Sequence, residues 1–441
     1  MGHRHASCAV LVLLTAGCLQ TSPAPKSDPA PPLSAEESDP RVLGWMQGFP
    51  PAPERQIGQP DSNYFSFPKL RWSVSHLREF LPTKEVSRGL GNPQPFERAI
   101  DDAIDQVEFT PLGASDPMTW RESLSANYTD GILVLHQGSI VYERYFGSLT
   151  ESGKHAAMSM TKSMTGLLAE ILVDEGVLDD EVLVSSIVPE LASSAFGDAT
   201  VRQVMDMTTG IVFSEDYADR NADIWIYSAA ASPFPRAASD TSPNGYFEYL
   251  RTVRAAGEHG EAFGYRTVNS DALGWIVSRA SGKSITELLS ERIWSRMGAE
   301  QEAYFTVDGR GTPFAGGGMS AGLRDLGRVG QLMLNEGVLN GQRLFSSNVA
   351  RNIRNGGDRA AFAKAGYKTL PGGSYRGMWW VFHNAHGAYA ARGVHGQTIY
   401  IDPTAGMVIV RLASFPVAFN SKIDPTSLPA YQAVAEYLMT K

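Results

Sequence analysis

Apolar and polar residues alternate in two parts of the chain, and a long stretch with helical spacing separates them. Residues 131–146 (GILVLHQGSIVYERYF) alternate around Gln137 and Gly138, which predicts a β-hairpin closed by a tight turn. Further strand-like runs follow at 377–383, 387–391, 398–401 and 407–412. The segments with apolar residues at helical spacing are 158–175, 200–207, 268–280, 284–297 and 322–336. This order predicts one sheet, built from both ends of the chain, with a helical insertion.

The first forty residues follow neither pattern. The segment before Cys18 has the features of an export signal: a basic Arg4, an apolar run at 9–14 and small residues just before the cysteine. The apolar run is too short to span a bilayer. Small residues ending in a cysteine resemble a bacterial lipoprotein signal, which implies lipidation at Cys18 and a membrane anchor facing the periplasm. An ordinary cleaved signal, giving a soluble periplasmic protein, and an uncleaved tail stay open as alternatives. The Pro-, Ser- and acid-rich segment that follows cannot bury enough apolar surface to fold.

These patterns divide the chain into four parts. We expect a signal peptide at 1–17, a disordered tether at 18–41, an N-terminal extension packed on the catalytic domain at 42–120, and a catalytic domain at 121–441 that contains a helical subdomain at about 180–340. Within the extension, residues 96–107 have helix-like spacing, and a last helix is predicted at 429–439.

Composition excludes several classes of function. The 441 residues are 43% hydrophobic, an ordinary globular content, and the net charge of −9 with no basic run argues against a nucleic-acid partner. Both cysteines, Cys8 and Cys18, lie in the first eighteen residues, so the body of the protein has no disulfide, thiolate nucleophile or cysteine metal site. The sequence also lacks HExxH, and we predict neither metal nor cofactor. The sequence does not indicate an oligomeric state.

The strongest chemical motif is Ser159-Met160-Thr161-Lys162, at the start of the predicted helix 158–175. A spacing of three residues places the serine hydroxyl and the lysine amine on one helical face. Apolar neighbours desolvate the amine, which lowers its pKa and allows it to act as a base. The free N–H groups of the first helical turn can donate to a developing oxyanion. The motif is common by chance, so its position before an apolar helix and after a hairpin carries the prediction.

Two later segments supply further candidates. Tyr265 precedes the predicted helix 268–280, and a tyrosine near a cationic lysine can ionise more easily and relay protons as general base and then general acid, although most tyrosines seen in isolation are core residues. Residues 392–400 (RGVHGQTIY) lead into a strand whose backbone N–H could complete an oxyanion hole. His395 in this segment is, taken alone, more often structural than catalytic.

The order of these elements resembles the penicillin-recognising serine hydrolases, and in particular the class C β-lactamase-like group. That group includes penicillin-binding esterases, D-amino-peptidases and 6-aminohexanoate-dimer hydrolases. The resemblance implies a β-lactamase/DD-peptidase-like α+β fold, with an antiparallel sheet flanked by helices and a mainly helical subdomain. It implies that Ser159 is acylated, that Lys162 activates it, that Tyr265 shuttles protons, and that the backbone N–H groups of Ser159 and Thr398 form the oxyanion hole.

Two departures from the β-lactamase pattern affect the expected substrate. Thr267 stands where β-lactamases have an asparagine, and His395-Gly396-Gln397 replaces their Lys-Thr-Gly. The His-Gly-Gln form is similar to that of 6-aminohexanoate-dimer hydrolases. The resemblance implies that His395, Gly396, Gln397, Thr267 and Tyr217 of this chain contact the substrate. We therefore expect a serine amidase or esterase that acts on small amides, oligoamides or esters. The alternatives are a β-lactamase or D-amino-peptidase acting on cell-wall-type substrates, and a non-catalytic envelope binding protein of the same fold.

Two competing motifs are weaker. Gly318-Met319-Ser320-Ala321-Gly322 fits the G-x-S-x-G nucleophile elbow, but the glycine-rich segment before it lacks the buried strand that an α/β-hydrolase requires. His383 and His386 form an H-x-x-H pair without a third ligand pattern nearby, which indicates a chance surface pair.

Overall fold

The computed structural model of the chain describes residues 31–58, 62–217, 219–237 and 239–441. The predicted signal peptide and Cys18 lie outside these residues, as does most of the predicted tether. Leu33–Lys441 form one compact unit. Within it, the Tyr128 hydroxyl donates to the Leu33 carbonyl at 2.7 Å, and Arg71 donates to the Ala35 carbonyl at 2.6 Å. Residues 33–41 therefore pack on the fold, and the prediction of a tether that extends to residue 41 is wrong at this end.

The described residues contain fifteen strands and fourteen α-helices, together with 3₁₀ turns and a π-helical turn at Ser290–Trp294. The strands are β1 (Thr83–Val86), β2 (Glu108–Phe109), β3 (Met118–Thr119), β4 (Thr129–His136), β5 (Ser139–Tyr145), β6 (His155–Ala156), β7 (Ala303–Thr306), β8 (Met319–Ala321), β9 (Val338–Leu339), β10 (Gln342–Arg343), β11 (Ser374–Arg376), β12 (Trp379–Val381), β13 (Tyr389–Gly393), β14 (Gln397–Asp402) and β15 (Met407–Ala413). The helices are α1 (Pro40–Leu43), α2 (Leu70–Ser73), α3 (Trp120–Ala126), α4 (Met160–Asp174), α5 (Val184–Ile187), α6 (Val201–Met205), α7 (Asp223–Ala230), α8 (Tyr246–Leu250), α9 (Val268–Ser281), α10 (Ile285–Leu289), α11 (Leu323–Leu334), α12 (Ser347–Asn355), α13 (Arg359–Ala363) and α14 (Asp424–Leu438).

The main sheet has seven strands in the order β11-β12-β13-β14-β15-β4-β5, and all its neighbours are antiparallel. The hairpin β4–β5 from the N-terminal part joins the C-terminal strands through β15, where Ile132 pairs with Arg411. The prediction of one sheet made from both ends of the chain, with helices between, is confirmed.

Both faces of this sheet are covered, which explains why its strands are buried on both sides. Ile132 and Val134 of β4 pack into a cluster with residues of α3 and α14, whereas Leu133 and Leu135 face a larger cluster that includes α4 and α11. Alternate residues of a strand point to opposite faces, so β4 contributes to two cores. Helix α11 lies close to the sheet because Gly330 faces it: a Cβ there would stand 2.4 Å from Val408 Cγ1.

A second sheet, in the order β1-β7-β8-β6, connects the extension to the segment that precedes α4. Its strand β1 comes from residues 42–120 and pairs with β7 of the helical region. The helix predicted at 96–107 is wrong: only a short 3₁₀ turn at Asp102–Gln106 forms. The Ala99 N–H instead donates to the Ile140 carbonyl at 2.9 Å, because pairing with β5 satisfies this backbone better than a helix would.

None of the helices in the described part of the chain combines the length and the apolar character that crossing a membrane requires.

Candidate active site

Ser159 lies at the junction between β6 and α4. The preceding residue, Met158, has a positive φ of 47°, a conformation that costs a non-glycine residue roughly 1–3 kcal/mol and that clusters at functional sites. This sharp turn places Ser159 at the N-terminal end of α4, where the residue is largely buried and keeps 7% of its surface exposed. The first N–H groups of a helix lack intrahelical partners, so the Ser159 hydroxyl and backbone amide sit where negative charge is stabilised.

Lys162 lies one turn further along α4 and contacts the serine directly. Its Nζ is 3.1 Å from Ser159 Oγ and donates to the Gly316 carbonyl at 2.5 Å. The side chain is 1% exposed, and burial lowers the pKa of Lys162 to about 8, although the carboxylates of Glu215 and Asp271 act in the opposite direction. About a tenth of this amine is therefore neutral at pH 7 and about half at pH 8, and this neutral form can accept a proton.

Two acids near Lys162, the buried Asp271 and the half-buried Glu215, were not predicted from the sequence. Glu215 accepts a hydrogen bond from the Thr267 N–H at 2.6 Å, and Asp271 accepts one from the Ala315 N–H at 2.9 Å. Burial raises the pKa of both carboxyl groups, and the charge of Lys162 partly offsets this rise. Their signal in the sequence was weak: Glu215 stands two residues before Tyr217, and Asp271 belongs to the first turn of α9.

Tyr265 completes the cluster around Ser159. The Lys162 Nζ stands 5.2 Å from the centre of its ring, and the ring stacks on Trp380 with centroids 5.3 Å apart. Burial raises the pKa of Tyr265 well above its usual value, and an interaction with the Ser159 side chain reduces this effect. From the sequence, the neighbouring lysine was expected to ease ionisation of this tyrosine. The structure instead favours a neutral phenol that donates its proton, because desolvation dominates.

The third element of the site is Gly393, at the end of β13. A Cβ on this residue would lie 2.9 Å from the Ser159 amide nitrogen and 2.8 Å from the Ala157 carbonyl, so only glycine allows β13 to approach the start of α4 this closely. A cavity of about 260 Å³ opens beside it. Its lining residues are Glu215, Tyr217, Tyr265, Tyr367, Thr369, Trp380, Arg392, Gly393, Val394, Ala418, Phe419, Asn420, Ser421 and Asp424.

The structure does not bring the predicted oxyanion donor Thr398 to Ser159. Gly393 pairs with Gln397 across the β13–β14 turn, so Thr398 is on the next strand, between Arg392 and Arg411. The motif was placed too far along the chain, because the sequence alone does not reveal which residues of the turn face α4.

His395, Gly396 and Gln397 are not among the residues that line the cavity, contrary to their predicted role in substrate binding. The His395 ring hydrogen-bonds to the Phe415 carbonyl at 2.7 Å, and burial lowers the pKa of His395 and keeps it neutral. The Gly396 carbonyl accepts from Arg411 at 3.0 Å, and the Gln397 amide bridges to Ala413 at 2.6 and 2.9 Å. These contacts hold the turn after β13 in place.

Of the two remaining predicted substrate contacts, Tyr217 lines the cavity and Thr267 does not. Tyr217 lines the cavity, with its ring edge-on to Trp225 and Phe419 at 6.0 and 6.3 Å. Thr267 lies behind the site: its N–H holds Glu215, and its Cγ2 faces Gly316, where a Cβ would be 2.4 Å away. Thr267 therefore positions Glu215 and packs against Gly316.

The competing motifs do not form sites. Ser320 is fully buried within the second sheet, opposite Tyr304 and Ala156 in register, and G-x-S-x-G here is part of β8. His383 hydrogen-bonds to Ser374 and His386 to Asp402, so the two rings have separate partners. The described residues contain no group of three His, Cys, Asp or Glu side chains arranged to hold a metal ion.

Comparison with known proteins identifies the family of this chain. The model of the family described as Beta-lactamase matches residues 122–426. The chain belongs to the β-lactamase family of serine hydrolases. A 6-aminohexanoate-dimer hydrolase from Paenarthrobacter ureafaciens is 35% identical over 366 residues, which cover 82% of this chain and 90% of the relative.

Solved structures also resemble this β-lactamase-family chain. A Bacillus anthracis protein, provisionally named 6-aminohexanoate-dimer hydrolase, superposes with a TM-score of 0.77 at 33% identity, covering 86% of this chain and 96% of its own. EstCE1, a hydrolase with promiscuous acyltransferase activity, has a TM-score of 0.55 at 15% identity, covering 71% and 96%. The latter likeness concerns the fold alone.

Proposed function

We propose that this family member hydrolyses small linear amides and esters, of the 6-aminohexanoate-oligomer kind, through an acyl-enzyme on Ser159. The observation that carries the proposal is the 3.1 Å contact between Ser159 Oγ and a buried lysine amine whose pKa falls to about 8. A nucleophile paired with a base that is neutral at the working pH is what acyl transfer requires.

In the proposed acylation step, neutral Lys162 accepts the Ser159 proton while Oγ attacks the substrate carbonyl carbon. The carbonyl oxygen becomes an oxyanion next to the Ser159 N–H. The backbone of Gly393 and Val394, which lies against that amide, supplies the second donor in place of Thr398. Preorganised N–H groups of this kind stabilise the transition state by about 3–4 kcal/mol each.

Collapse of this intermediate expels the leaving amine or alcohol, which needs a proton. Tyr265 remains a phenol because burial raises its pKa, so it can donate that proton and recover one from Lys162. Water then attacks the acyl-enzyme by the same steps in reverse order, and Ser159 regains its proton. Glu215 and Asp271 lie near Lys162, and their carboxylates moderate the fall of its pKa.

The cavity supports a small, linear substrate. Its walls include the rings of Tyr217, Tyr367, Trp380 and Phe419, which suit a chain of methylene groups. The relatives named as 6-aminohexanoate-dimer hydrolases, at 33–35% identity, support the same substrate class.

A panel of substrates tests this function. We expect the purified protein to hydrolyse p-nitrophenyl butyrate and the linear 6-aminohexanoate dimer, with a burst of p-nitrophenol equal to the enzyme concentration when deacylation is slower than acylation. Nitrocefin provides the comparison for β-lactams. Turnover of nitrocefin without turnover of any linear ester or amide would refute the proposal and favour the β-lactamase alternative.

We further propose that Cys18 carries a lipid that holds the enzyme at a membrane facing the periplasm. The support comes from the sequence alone: small residues precede Cys18, and a Pro-rich segment follows it. Expressed in a Gram-negative host, the wild-type protein should partition with membranes and Cys18→Ala should be soluble with the same kcat/KM. A soluble wild-type protein with an unmodified N-terminus would contradict the anchor.

A further inference from the structure

One wall of the active-site cavity carries a positive charge that the mechanism above does not use. Arg392 precedes Gly393 on β13, the residue that lies against the Ser159 amide, and its side chain lines the cavity. Among the residues that the structure places in this lining, Arg392 is the only cationic one. The residue is 8% exposed, so its charge acts in a partly desolvated setting where electrostatic interactions are stronger than in water.

The charge of Arg392 is only partly compensated. Its Nη2 donates to Asp424 Oδ1, and the other oxygen of Asp424 accepts from the Thr369 hydroxyl at 2.6 Å. Arg411 is also buried, and burial lowers its pKa; Tyr431 and Asp424 act in the opposite direction, and the charge of Arg392 adds to the fall. Two buried guanidinium groups therefore lie in the electrostatic field of Asp424, and only Arg392 is bonded to it, whereas the other acid of the cavity lining, Glu215, lies near Lys162.

The guanidinium is also held in a fixed orientation. Its carbon stands 5.5 Å from the centre of the Trp380 ring, and Tyr367 packs edge-on against Trp380 at 5.4 Å. A guanidinium presents five N–H donors in a planar fork, and the bond to Asp424 uses one terminal nitrogen. An arginine that is already positioned and still carries donors is suited to bidentate binding of a carboxylate.

We propose that Arg392 binds a carboxylate of the substrate, so that the enzyme selects linear amides and esters with a free carboxylate at one end. This inference rests on the proposed function and names the chemical group that its site selects. Asp424, Thr369 and Trp380 position the guanidinium and do not contact the reacting atoms.

The kinetic test compares the 6-aminohexanoate dimer with the same dimer capped as a neutral C-terminal amide. In Arg392→Met the ratio of the two kcat/KM values should fall about 100-fold, because a charge-assisted hydrogen-bonded pair is lost only for the carboxylate. Arg392→Lys should recover part of the ratio, since an ammonium keeps the charge without the fork. The matched control is Arg292→Met, which removes a more exposed arginine paired with Glu175 and should leave the ratio unchanged. An unchanged ratio in Arg392→Met would overturn the inference.

A binding test separates this inference from the proposed function. In Ser159→Ala, calorimetry should show that N-acetyl-6-aminohexanoate binds at least about tenfold more tightly than its neutral amide, and that Arg392→Met in the same background removes the difference. If neither ligand is preferred although the wild-type enzyme hydrolyses both dimers, the inference fails and the function stands. If the carboxylate is preferred although no linear substrate is hydrolysed, the proposed function fails and the site for the anion remains.

Discussion

Replacing Ser159 with alanine is expected to reduce kcat by about 10⁵- to 10⁶-fold, the scale observed when a nucleophile that works as a unit with its base is removed. The serine stands at the start of α4 with the Lys162 amine 3.1 Å from its hydroxyl, and the chain places Gly393 against its amide. Nothing else in this cluster can form the acyl-enzyme, so the loss should affect esters and amides alike.

Covalent labelling measures the same prediction directly. A fluorophosphonate should attach to the peptide that contains Ser159, as shown by peptide mass mapping, and Ser159→Ala should remove the label. Ser320→Ala is the matched control, because Ser320 is fully buried in β8 away from the cavity and its loss should leave labelling and turnover unchanged. An adduct on Ser320, or a labelled Ser159→Ala protein, would contradict the assignment of the nucleophile.

The sequence predicted the sheet and the start of α4 because those signals are local. The signals of β4 and α4 lie within the eight and fifteen residues of each element: β4 is an apolar run that ends just before the Gln137-Gly138 turn, and α4 has apolar residues at helical spacing. The segment 96–107 failed because its helical spacing was overridden by pairing with β5, a partner about forty residues away. Such long-range pairing has no local signature.

The third motif failed for a related reason. Whether Gly393 or Thr398 meets Ser159 depends on how the β13–β14 turn packs against a helix that begins more than 230 residues earlier, and a shift of a few residues changes which backbone groups reach the site. Glu215 and Asp271 act on Lys162 from two further segments. The residue types of the site were predictable, whereas the partners that adjust its pKa values were not.

The pH dependence should identify Lys162 as the base. Burial lowers its pKa from 10.5 to about 8, and only the neutral amine can accept the serine proton. Below pH 8, kcat/KM for a neutral ester should therefore rise about tenfold per pH unit and then level off above pH 8. A rate that falls as the pH increases through this range would show that the protonated lysine is the active form.

Two substitutions of Lys162 separate its charge from its basicity. Lys162→Arg keeps a cation that cannot lose its proton in this range, and Lys162→Met removes the charge; both should lower kcat by about 10³- to 10⁴-fold, because neither side chain can act as a base. Because the pKa of Lys162 falls from 10.5 in the unfolded chain to about 8 in the folded protein, its protonation opposes folding fully below pH 8 and progressively less up to pH 10.5. Calorimetry at pH 7 should therefore show that Lys162→Met melts at a higher temperature than the wild type. A substantial activity in Lys162→Arg would mean that the positive charge, and not proton transfer, is what Ser159 requires.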